Sequence, residues 1–80
     1  MNEPLTVVDT AIGALQAELL RGLLEAQGVQ VMLSYESAGR VEGLSVGPMG
    51  EVDLLVPASQ AAQARRILAD YYAGRLEAQP

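Results

Sequence analysis

A helical repeat that gives way to a strand within one residue constrains this chain more than any other feature. Ile12, Leu15, Leu19, Leu23 and Ala26 recur at helical spacing, with Leu20 beside them and Glu18, Arg21 and Glu25 opposite. The repeat stops at Gly28, where a C′ glycine closes a helix. Val29, Val31, Leu33 and Tyr35 then alternate with Gln30, Met32 and Ser34, the period-two pattern of a strand with one buried face. Ahead of the helix, Leu5–Val8 is a β-rich run bounded by Pro4 and Asp9-Thr10, and gives a first strand. Gly13 leaves the helix start open anywhere between Thr10 and Ala14. A strand, an amphipathic helix and a second strand in this order make a β-α-β crossover, which is right-handed and lays its strands parallel.

The remaining elements fit into that unit. Val52–Val56 reads as a third strand with Val52, Leu54 and Val56 on one face and Asp53 and Leu55 on the other, stopped by Pro57. Ser59 can cap a second helix whose stripe is Ala61, Ala64, Leu68, Tyr71 and Tyr72, flanked by Ile67 and ended by Gly74. An antiparallel third strand fits between two parallel ones, so the predicted sheet order is one, three, two, with both helices on one face. This is an α+β fold of β-α-β-β-α order, a ferredoxin-like split β-α-β with the fourth strand absent or very short. The alternative is a three-stranded sheet in sequential order. One domain spans residues 1–74, and 75–80 is a short unpatterned tail.

Composition narrows the chemistry. The 80 residues are half apolar yet contain no Phe or Trp, so the core must be aliphatic. Ten acidic residues against five arginines give a net charge of −5, which disfavours nucleic acid and anionic lipid alike. Without Cys or His the chain lacks thiol, zinc, iron–sulfur and Ser-His chemistry, and we expect no cofactor, no metal and no catalytic residue. The start MNEPLTVVDT has neither a basic leader nor an apolar signal-peptide core, and no window approaches ~18 uninterrupted apolar residues. We therefore expect a cytoplasmic protein that does not enter a membrane.

Three stretches in order, AELLRGLLEAQGV (Ala17–Val29), VGPMGEVDLLVP (Val46–Pro57) and AAQARRIL (Ala61–Leu68), resemble a small bacterial family of unknown function, the putative prokaryotic signal-transducing proteins. The resemblance covers roughly Val7 to Tyr72. It implies a ferredoxin-like fold of the type seen in nitrogen-regulatory signal proteins, and a signalling role by structural analogy. Some members carry a cysteine-rich or membrane segment that this chain lacks.

The candidate sites are few. SVGPMG, Ser45–Gly50, could cradle a phosphate, but its glycines precede a strand rather than a helix and Glu51 follows at once, so turn chemistry is the better reading. The glycine-dotted segment 36–50 is expected to be mobile, and Gly43, Gly47, Pro48 and Gly50 within it are the candidate ligand loop. Glu36, Glu42, Glu51 and Asp53 cluster around it without the spacing of a calcium loop and read as solvated charges. Gly22 inside the first helix reads as a site of close packing. Arg21 is placed to pair with Glu18 and Glu25, and Arg66 with Asp70. One of Tyr71 and Tyr72 should cap the core while the other lies at the surface.

Two functions from different classes follow. One is a noncatalytic regulatory or adaptor module that contacts itself or another protein; the other is a metabolite or nucleotide sensor using loop 36–50. A homodimer is expected, through the unpaired edge Leu5–Val8 or the open sheet face, so Leu5, Val8, Met32 and Leu55 are candidate interface residues. A tail strand at Arg75–Gln79 would instead leave a monomer.

Overall fold

The computed structural model describes residues 3–35 and 50–74. Strand β1 is Leu5–Ile12, helix α1 Ala14–Ala26, strand β2 Met32–Ser34, strand β3 Glu51–Pro57 and helix α2 Ala61–Tyr72, the last preceded by one 3-10 turn, Ala58–Gln60. The sheet runs β1-β3-β2, as the crossover demands, with β3 antiparallel to both neighbours. The result is a small α+β fold compatible with the ferredoxin-like class. The tail that could form a fourth strand lies outside the described residues.

One core joins the layers. Val52, Leu54 and Val56 alternate inward along β3 and meet Ala17, Leu20 and Leu24 of α1 and Ala61, Ala64, Ile67 and Leu68 of α2 in one buried cluster. Both helices therefore cover the same sheet face. Alanines at Ala17, Ala61 and Ala64 remove side-chain bulk where the helices meet the sheet or each other, so the aliphatic residues between them pack without an aromatic filler. Tyr71 lies against the cluster and closes its end, while Tyr72 stays exposed.

Helix α1 ends in a Schellman motif. Val29 N–H donates to Leu24 O and Gly28 N–H to Glu25 O, both at 3.0 Å. Gly28 sits at φ +91°, a conformation that favours glycine. The motif brings Val29 and Leu24 into the core together, so the stop signal also aims the chain into β2.

The structure departs from expectation in four places. Strand β1 continues past Val8 to Ile12, because Thr10, Ala11 and Ile12 pair with Asp53, Val52 and Glu51; Ile12 therefore belongs to the sheet rather than to the helix. Helix α1 is also rotated from the expected phase: Ala17, Leu20 and Leu24 point inward, and Leu15 and Leu19 are exposed. A helix with leucines on two faces offers two stripes of the same period, and small Ala17 decides between them by allowing close approach to the sheet. Strand β2 is shorter than Val29–Tyr35, although Val29 is buried and Val31 and Leu33 pack on the core as the alternation requires. Finally, Ser59 does not cap α2, whose N-cap is Gln60; the Ser59 N–H instead donates to Glu3 Oε2 at 2.6 Å.

Candidate functional site: the open sheet face and the outer face of helix α1

The side of the sheet away from the helices is the first surface to consider. The register places Leu5, Val7, Thr10 and Ile12 of β1, Met32 and Ser34 of β2, and Glu51, Asp53, Leu55 and Pro57 of β3 on it. A bulge interrupts β1, where Val7 pairs with Leu55 and Asp9 with Leu54, leaving Val8 between them without a partner. Val7 faces outward and Val8 inward by ordinary alternation, and the extra residue leaves Asp9 on the inward side as well.

The candidate interface residues thus separate. Leu5, Met32 and Leu55 line one groove of about 210 Å³ together with Gln30, Val31 and Pro57. Val8 does not join them, since it packs against the core, and the outward position belongs to Val7. Parity counted from Leu5 gives the same result, whereas parity counted back from Thr10 and Ile12 does not, because the bulge shifts the alternation by one between Val7 and Asp9. Leu5 and Val7 are each 44% exposed and Met32 55%, so three exposed apolar side chains gather at one end of the face. The other end is mixed: Thr10 Oγ1 donates to Asp53 Oδ1 at 2.9 Å, and Glu51 lies opposite Ile12, itself 49% exposed. Every described arginine, Arg21, Arg65 and Arg66, sits on a helix, so among the described residues this face has acidic charge alone.

The edge of β1 is partly closed. Thr10 N–H donates to its neighbour's Asp9 Oδ1 at 2.8 Å and Ile12 N–H to Gln16 Oε1 at 2.7 Å. Both donors are satisfied by side chains of this chain, which blunts the second half of the edge against strand addition.

Helix α1 carries a second exposed apolar surface that the sequence reading assigned to the core. Leu15, 84% exposed, Leu19, 50% exposed, Gly22 and Ala26 form one outer stripe at i, i+4, i+7 and i+11. Gly22 is not a close-packing site, for a Cβ built there meets nothing within 4 Å. Beside the stripe, Arg21 is ion-paired with Glu18 and with Glu25, the latter at 3.3 Å. Hydrogen bonding to Glu18 and the charges of both carboxylates raise the Arg21 pKa above its ordinary value.

Of the candidate ligand loop, Gly43, Gly47 and Pro48 lie outside the described residues, as do Glu36 and Glu42. Gly50 lies within them, and its carbonyl accepts the Gly13 N–H at 2.7 Å. That bond ties the start of β3 to the β1-α1 junction. Among the described residues no group of three His, Cys, Asp or Glu side chains converges to hold a metal, and no helix is long and apolar enough to cross a membrane.

The family model described as "Putative prokaryotic signal transducing protein" matches residues 10–72, which hold both helices, β2, β3 and the last part of β1. The chain belongs to this family. No curated protein and no solved structure gives a significant match to it. The family description names a signal-transducing protein, not an enzyme.

Proposed function

We propose that this chain is a noncatalytic regulatory or adaptor module acting in signal transduction through protein–protein contacts, with the open sheet face as its docking surface. The observation that carries this reading is the division of that face into an aliphatic end, Leu5, Val7, Met32 and Leu55, and an end where the carboxylates Asp53 and Glu51 flank exposed Ile12. Burial of the aliphatic end supplies affinity, roughly 25 cal/mol for each Å² removed from water. The carboxylates select for a partner that sets basic side chains beside apolar ones. An identical copy would bring two further carboxylates, so the face matches a different protein better than itself.

The test is site-specific photo-crosslinking in the native host. A crosslinker at Met32 should give an adduct of discrete mass that disappears in a folded Leu55→Glu variant, while one at Arg65, on the helix side, should not give it. Absence of any adduct from Met32 would overturn the reading. An adduct with twice the chain mass would turn it into self-contact, and thermal stabilisation by a metabolite without any protein adduct would favour a ligand sensor.

A further inference from the structure

The outer stripe of α1 is apolar yet faces solvent. It lies away from the core and carries no charge, although the ion-paired row Glu18, Arg21 and Glu25 runs along its flank. Its side chains read large, large, small, small along the helix: Leu15, Leu19, Gly22, Ala26. Reversed, that order is complementary to itself. An antiparallel second copy sets Leu19 over Gly22 and Leu15 over Ala26, each large side chain meeting a small one, twice by symmetry. The open space around Gly22 is where the facing leucine fits.

We infer that α1 is a self-contact surface through which two copies of this chain form an antiparallel homodimer, with Leu19 of each copy seated on Gly22 of the other. The inference rests on a different surface from the sheet face and stands whether or not that face binds a partner. It also gives the proposed adaptor a geometry. Pairing through the helix layer leaves both sheet faces outward, so one dimer presents two docking surfaces.

Sedimentation equilibrium of the full chain over a dilution series tests this, with circular dichroism confirming the fold of each variant. The native chain should be a dimer. Gly22→Leu fills the space and should weaken dimerisation by at least about tenfold, as should Leu15→Arg at a side chain too exposed to matter for folding. The swap Leu19→Gly with Gly22→Leu restores a large residue opposite a small one and should recover the dimer. Leu55→Glu should leave it intact, which separates this contact from the sheet face. A native monomer at every concentration, or a dimer unaffected by Leu15→Arg, would overturn the inference; so would a folded swap variant that stays monomeric. If the swap fails to fold, Leu15→Arg decides alone.

Discussion

The Tyr72 hydroxyl donates to Asp9 Oδ2, joining the last turn of α2 to the bulge of β1 across 63 positions of sequence. The other oxygen of the same carboxylate accepts the Thr10 N–H. One side chain thus holds a helix end and a strand edge together. Partial burial first, and the bond to Asp9 second, push the Tyr72 pKa up to about 12.

Tyr72→Phe should therefore remove an alkaline component of stability. Because the folded pKa lies above the ordinary value of 10.0, the folded state holds its proton where the unfolded chain releases it. The contribution is complete below pH 10.0 and is lost as pH rises toward 12. Urea midpoints on either side of pH 10 should converge between the native chain and Tyr72→Phe as pH rises. At neutral pH the loss should not exceed about 1 kcal/mol, since the bond is exposed.

An acid counterpart lies at the other end of the sheet. Hydrogen bonds from Ser59 lower the Glu3 pKa from 4.5, so its contribution is present above that value and disappears as pH falls through the lowered one. Glu3→Gln should flatten this part of an acid denaturation curve. An unchanged curve would show that the contact to Ser59 adds nothing to the fold.

How much of this could be read beforehand depends on which signals were local. The helix stop at Gly28, the inward triplet Val52, Leu54 and Val56, and the β1-β3-β2 order followed from patterns and a chirality rule. The phase of α1 did not, because Leu15 and Leu19 share the spacing of Leu20 and Leu24, and only packing against β3 chooses between the stripes. Nor did the extent of β1. Asp9-Thr10 carries a turn signal locally, and the antiparallel ladder to Asp53 and Leu54 overrides it. Of the candidate interface residues, the outward placement of Met32 and Leu55 was legible from alternation and Leu5 entered as part of the strand edge, while Val8, opposite in parity to Leu5, packs on the core.

Core truncations should separate the two stripes. Leu24→Ala and Leu54→Ala, both fully buried, should each cost about 2–5 kcal/mol in urea denaturation. Leu15→Ala, measured where the chain is monomeric, should stay within about 0.5 kcal/mol of the native value. A large loss at Leu15 would mean that the helix phase is wrong.

The two helix glycines should respond in opposite directions. Gly28→Ala has room for its methyl but is held at φ +91°, so it should destabilise by about 1–2 kcal/mol. Gly22→Ala, with helical geometry and open space, should stabilise the monomer by roughly 0.5–1 kcal/mol. Thermal unfolding at high dilution reads both.

The unpaired residue in β1 has a consequence for how this strand tolerates change. Val8 has no cross-strand partner, so it is a place where chain length can vary by one without turning any other side chain around. Deleting it leaves Val7 opposite Leu55 and Asp9 opposite Leu54, and removes one aliphatic group from the edge of the core. Both halves of the strand supply outward residues, Leu5 and Val7 before the bulge and Thr10 and Ile12 after it, and the second half adds buried Ala11 and the Asp9 anchor. The outward pair ahead of the bulge and the anchored half behind it are thus separately editable within eight residues.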